Sequence, residues 1–181
     1  KELIENSLDA NADRIEVQIS QGGHDLIQVS DNGSGMDEND LANAIRAGYS
    51  GKRTSDKLGL FGMGFNVASA RLGNRVAVWT SQKNAEKSIG VVIDLHKMSI
   101  RGTFELEILE SRDHKFSIIG TSGTRIEISK FKSEVTIQPK RIVTQLSKAY
   151  SSSLFERYNI NLVVNHTSSS RTYCVTHRTF C

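Results

Sequence analysis

Proline occurs once in the 181 residues, at Pro139, against 14 glycines. The glycines are therefore not part of a Pro/Gly-rich linker composition and need local explanations. Cysteine is almost as scarce: Cys174 and Cys181 lie in the final stretch, and the rest of the chain has none. That excludes a disulfide framework and suits a reducing compartment, so the expected localisation is the cytoplasm, or the nucleus in a nucleated cell. No apolar run approaches the ~20 residues that a membrane helix needs, so no membrane partner is expected. No internal repeat or low-complexity block is visible, and no signal-peptide-like leader stands at the start. Lys1 replaces methionine and a helical pattern begins at once, so we expect the chain to open inside an element. Hydrophobic residues at 38% and charged residues at 24% exclude disorder, collagen and coiled coil. The length suits one domain with a proper core.

Acidic residues are nearly missing from one end. Residues 1–129 hold 15 Lys+Arg and 18 Asp+Glu, whereas residues 130–181 hold 8 and 2. An anionic partner such as DNA would favour this basic C-terminal part, which includes Lys140, Arg141, Lys148 and Arg157; a solvated basic helix face is the plainer alternative.

Periodicity supplies the elements. Leu3, Ile4 and Leu8 predict a helix over the first twelve residues, and the alternation of Ile15, Val17 and Ile19 predicts a strand over 14–20. A second strand over 26–30 would complete a hairpin. A helix opens at Asp37 over Leu41, Ile45 and Arg46, with acidic residues in its first turn. Residues 47–64 read as a lid, and 65–72 as a short helix. Strands are expected at 75–81, 88–95, 103–110, 115–119 and 124–129. Pro139 opens a helix through about residue 158, since proline suits the first helical turn, and a strand follows over 159–165. Residues 166–181 read as a frayed tail or the truncated start of a following domain.

Three glycine-bearing loops in this order could expose backbone amides to an anion, phosphate above all. Two better known phosphate loops are excluded. The Walker A pattern fails because Arg46 and Arg53 stand where Gly and Ser or Thr are needed around Gly51 and Lys52. DNGSG at 31–35 lacks the third glycine of a dinucleotide fingerprint, and Gly59, Gly62 and Gly64 carry its spacings reversed. Glu2 and Asn6 share one helix face, where a carboxylate and an amide could hold a water and a divalent cation side by side. Glutamate would serve as general base for that water, and the amide oxygen suits magnesium. An exposed, solvated helix face is the commoner explanation of such a pair. Asp31 ends a strand and could accept hydrogen bonds from an exocyclic amine such as that of adenine, or could belong to a plain hairpin turn. The five histidines lack metal-ligand spacing, and the two cysteines make no zinc site by themselves.

ELIENSLDA at 2–10, DNGSGM at 31–36, GLFGMGF at 59–65 and GTRI at 123–126, taken together and in this order, resemble the Bergerat ATP-binding fold of the GHKL superfamily. That superfamily holds gyrase B, the ninety-kilodalton heat-shock chaperone, histidine kinases and MutL. The opening stretch is similar to MutL-type ATPases, and residues 47–53 with GLFGMGFNVASARLG are similar to microrchidia-type ATPases and their bacterial relatives. The resemblance covers residues 1–165 and implies an α+β fold, a two-layer α/β sandwich with helices on one face of a mixed, mostly antiparallel sheet. It implies ATP and Mg2+ as cofactors, with Glu2 as catalytic base and Asn6 as metal ligand. Asp31 would take the adenine amine, helped through water by Gly35 and Thr124, within a site that includes Gly33 and Met36. Gly59, Gly62, Gly64 and Phe65 would meet the phosphates. Lys52 or Lys57 would reach the γ-phosphate, and spacing does not choose between them; Asp9 would assist near the metal or pack the helix.

The function so implied is an ATPase acting as a nucleotide-gated dimerisation clamp, a homodimer when ATP is bound, in a DNA-associated protein of repair, silencing or DNA defence. A chaperone-type ATPase, an ATP-binding pseudo-enzyme and a histidine-kinase-like domain are the alternatives.

Overall fold

A computed structural model describes residues 1–22, 25–49, 69, 71–95, 97, 100, 108–111, 121–149, 159–166 and 169–174. The elements run α1 (Glu2–Asp9), β1 (Arg14–Gln21), β2 (Leu26–Asp31), α2 (Glu38–Tyr49), β3 (Gly73–Ser81), β4 (Ser88–Asp94), β5 (Ile108–Ser111), β6 (Gly123–Phe131), α3 (Pro139–Ala149), β7 (Asn159–His166) and β8 (Ser169–Cys174). The strands form one eight-stranded sheet in the order β5-β4-β3-β6-β2-β1-β7-β8. Every neighbouring pair is antiparallel except β1 with β7, which is parallel and reached through α3. A parallel pair needs such a crossover, whereas antiparallel neighbours can be joined by tight turns.

Strand register turns the sequence alternation into a single apolar face. Ile93, Val76, Ile128, Ile27 and Ile19 lie in one cross-strand row, and Val91, Val78, Ile126, Val29 and Val17 in the next. All ten are buried. Leu3 and Ile4 of α1, Leu41 and Ile45 of α2 and Leu146 of α3 belong to the same core cluster, so these three helices cover one side of the sheet. Burying each of Ile15, Ile19 and Ile128, all 0% exposed, is worth roughly 1.5–3 kcal/mol relative to leaving it in water. The expected two-layer α+β arrangement is the one found.

Local chemistry fixes the start of α2. Asp37 Oδ1 accepts the Asp40 amide at 2.8 Å, an N-cap for α2, and Glu38 and Asp40 favour the positive end of its dipole. α2 continues to Tyr49, three residues into the stretch expected as a lid, because no proline stops it and Gly48 costs only about 1 kcal/mol inside a helix. The sheet also continues past residue 165: β8 pairs antiparallel with β7, so 169–174 is a sheet strand, not a frayed tail. Its Ser, Thr and Arg composition hides the strand signal. The expected strand at 115–119, most of the helix over 65–72, the first half of the strand over 103–110 and the helix beyond Ala149 lie outside the described residues.

Candidate functional site

One end of the sheet carries the polar residues. There the row of buried valines and isoleucines gives way to Thr80, Thr124 and Asp31, at the ends of β3, β6 and β2. Asp31 is 5% exposed, so its charge must be met locally or lost. Its Oδ1 accepts the Gly33 amide at 2.9 Å and the Thr124 amide at 3.1 Å, and its Oδ2 accepts the Ser7 hydroxyl at 2.9 Å. Burial raises the Asp31 pKa above the ordinary carboxylate value, and these three donors oppose the rise without cancelling it.

Two glycines permit this packing. A Cβ on Gly123, at φ +142°, would fall 1.9 Å from the Asp31 carbonyl oxygen. One on Gly35, at φ +68°, would fall 2.0 Å from the Ser81 carbonyl oxygen. Both positions combine a left-handed backbone with space for hydrogen only. The DNGSGM loop is thereby pressed against the end of β3. Asn32, the residue that makes a hairpin turn plausible, instead holds the α1–β1 connection: its Oδ1 accepts the amides of Asp13 at 3.1 Å and Arg14 at 2.9 Å. The Ser34 amide donates to the Ala10 carbonyl at 2.9 Å, which ties the loop to the end of α1.

Thr80 binds these parts into one unit. Its hydroxyl accepts the Met36 amide at 2.9 Å, lies 3.1 Å from the Gly123 carbonyl oxygen and 3.2 Å from the Thr124 hydroxyl, and is 0% exposed. Neither Thr80 nor Ser7 was singled out by sequence. Thr80 continues the inward alternation of Val76 and Val78, and a polar residue on that face was the available signal. Ser7 stands four residues after Leu3 on the buried side of α1, which carries the same signal.

Above this cluster a pocket opens between α1, α2 and the sheet, with about 440 Å3 of space including its mouth. Leu3, Ala10, Met36, Leu41, Ala44, Ile45, Val78 and Ile126 make apolar walls, and Asn6, Ser7, Asp31 and Thr124 supply polar groups. An apolar cleft with a few convergent polar groups is the usual form of a small-molecule site. Of the expected residues, Asn6, Asp31, Met36 and Thr124 thus meet at one pocket. Gly33 and Gly35 shape the loop beneath it. Glu2 is exposed in the first turn of α1, one turn before Asn6, and stands outside the pocket wall; Asp9 is exposed and outside it too. Lys52, Lys57, Gly59, Gly62, Gly64 and Phe65 lie outside the described residues. Among the described residues no cluster of His, Cys, Asp or Glu could hold a metal by itself, and no helix is long and apolar enough to cross a membrane.

Residues 1–125 match the family described as histidine kinase-, DNA gyrase B-, and HSP90-like ATPase. The chain belongs to this family. The match runs from α1 into the start of β6, so it includes every residue that lines the pocket except Ile126. The chain is 32% identical over 170 residues to the DNA mismatch repair protein MutL of Petrotoga mobilis, covering 90% of this chain and 25% of the relative. It is 31% identical over 176 residues to MutL of Clostridium beijerinckii, covering 92% and 26%. It thus spans about a quarter of the length of these relatives. Among solved structures, the N-terminal domain of a DNA repair protein superposes with a TM-score of 0.62 at 17% identity, over 94% of this chain and 49% of that one. The Aquifex aeolicus MutL ATPase domain complexed with ADP superposes with a TM-score of 0.54 at 19% identity, over 91% and 57%. These likenesses show the fold of a GHKL ATPase domain.

Proposed function

We propose that this chain binds ATP with its adenine in the α1–α2 pocket and hydrolyses it with Mg2+. The observation that carries the reading is the buried Asp31 carboxylate at an apolar pocket, with Oδ1 saturated by two amides and Oδ2 bonded to Ser7 alone among the described residues. A flat base with an exocyclic amine satisfies both features: its faces meet Met36, Val78 and Ile126, and its N–H donates to Oδ2. Gly35 and Thr124 assist through water, and Gly33 completes the loop under the base.

The phosphates then extend along α1 toward Asn6 and Glu2. Asn6 supplies one hard amide oxygen, which fits Mg2+, an ion that binds through few protein ligands, several waters and the phosphates of the substrate. When bound, the ion neutralises charge that develops on the phosphates. Asn6 orients that end of the nucleotide, and the Glu2 carboxylate accepts a proton from the attacking water, a role worth about 10²–10⁴ in rate. The amides of Gly59, Gly62, Gly64 and Phe65 and the cation of Lys52 or Lys57 complete the phosphate cradle.

In the whole protein, ATP closes the lid, the stretch from α2 to residue 64, over the nucleotide, promotes a homodimer and makes a clamp on DNA, in the cytoplasm or nucleus. The mismatch-repair relatives and the basic stretch after residue 129 support the DNA assignment over a chaperone, and Glu2 supports hydrolysis over a kinase or pseudo-enzyme. ATP turnover, with gel filtration in a non-hydrolysable analogue, tests the core of the reading. Absence of nucleotide binding refutes it. Filter binding to duplex DNA against salt tests the rest: phosphate contacts give a steep loss with rising salt, and a flat or absent response removes DNA from the proposal.

A further inference from the structure

Ser7 is a buried hydroxyl in the interior of a helix, where alanine would serve the helix better and would bury no polar group. Its single proton faces two acceptors, the Leu3 carbonyl at 3.1 Å and Asp31 Oδ2 at 2.9 Å. It can serve one at a time, and an ionised carboxylate is the stronger acceptor. Oδ1 is held by two backbone amides, so the plane of the carboxylate is fixed at one end and Ser7 fixes it at the other.

We propose that Ser7 is a positioning residue for base recognition, holding Asp31 so that the second lone pair of Oδ2 faces the pocket as a fixed acceptor for an exocyclic amine. The same hydroxyl ties the base-recognising carboxylate to α1, the helix that carries Glu2 and Asn6. Without it, Oδ2 loses its partner, turns toward whatever donor it can find, and no longer distinguishes an amine from a hydrogen at that place on the base.

The inference rests on the adenine reading, and one titration separates the two. The chain and its Ser7→Ala and Ser7→Thr variants are titrated with a non-hydrolysable ATP analogue and with the matching nucleotide that has hydrogen in place of the 6-amino group. The unaltered chain prefers the amino nucleotide by about 10-fold or more, the worth of a hydrogen bond to a charged group. Ser7→Ala narrows that preference to within about 3-fold, and Ser7→Thr, which keeps the hydroxyl, retains it. Equal weakening of both nucleotides by Ser7→Ala means mere packing and overturns the role of Ser7 while leaving the adenine reading intact. No preference in the unaltered chain overturns the adenine reading and this inference with it. Should Ser7→Ala not fold, Ser7→Cys, a weak donor of similar size, is read in its place.

Discussion

Replacing Asp31 with asparagine changes one oxygen for an NH2 group, and the contacts determine which one. An amide oxygen in the Oδ1 position keeps the amides of Gly33 and Thr124 bonded; the reverse orientation would set an NH2 against both. The NH2 therefore takes the Oδ2 position. Ser7 adapts by rotating its proton to the Leu3 carbonyl, 3.1 Å away, and accepting from the new NH2. Stability at neutral pH is expected to hold or rise, because a buried charge has been removed without leaving a donor unmet.

Nucleotide binding fares differently. The pocket now presents a donor where ATP also brings a donor. The lost charge-assisted bond is worth about 1.5–3 kcal/mol, and the buried donor left facing another donor costs about 1–3 kcal/mol. Together they lower affinity by about 10²–10⁴-fold. A nucleotide with a carbonyl at the same ring position should lose far less, or gain, since it accepts from the new NH2. Calorimetric titration of both nucleotides against both proteins measures this, with thermal unfolding as the check on folding. ATP affinity within about 3-fold of the unaltered chain, or an equal loss for both nucleotides, would refute the assignment of Oδ2 as the base acceptor.

Glu2→Ala should leave ATP affinity within severalfold and reduce turnover by about 10²-fold or more, and equal turnover in steady-state assays would remove Glu2 as the base. Thr80→Val keeps shape but leaves the Met36 amide without its partner, so it should lower the unfolding free energy by about 1–3 kcal/mol in denaturant titrations. Gly123→Ala should be worse, at least about 2 kcal/mol, because its Cβ meets the Asp31 carbonyl oxygen and the backbone is strained. The raised Asp31 pKa gives a signed prediction for pH. The folded chain holds this proton more tightly than the unfolded chain, so the contribution is fully present below the ordinary value of 3.8 and is lost as pH rises through the folded value. Denaturant midpoints of the unaltered chain should accordingly fall, relative to those of Asp31→Asn, as pH rises across that window.

Much of the sheet was legible because period-two alternation and cross-strand register are the same information read twice. Ile15, Val17 and Ile19 alternate in sequence and stand opposite Asp31, Val29 and Ile27, so one buried face specifies the pairing. β8 was illegible for the complementary reason. Ser169 to Cys174 has no apolar alternation to announce a strand, and only its neighbour β7 gives it a place. The C-terminal limit of α2 differs because residues 47–64 are rich in Gly, Ser, Lys and Arg with little periodicity, whereas an N-capped helix with Leu41 and Ile45 at 1% exposure tolerates Gly48.

In the site, sequence singles out groups that line the pocket and misses the groups that hold them. Asp31, Met36 and Thr124 come from motifs, whereas Ser7 and Thr80 act only through contacts made across 24 and 44 residues of chain. Such partners leave no local pattern, only a polar residue on a face that should be apolar. The two facts are physically connected. A carboxylate buried at the end of a hydrophobic sheet face is costly unless its lone pairs are met, so burying Asp31 at the pocket creates the demand for Ser7, Gly33 and Thr124. The glycines at 33 and 123 follow from it, since those backbones must come within hydrogen-bonding or contact distance of Asp31. Two of the six glycines in the four motifs, Gly33 and Gly123, are thus explained by how one acid is held, before any phosphate is considered.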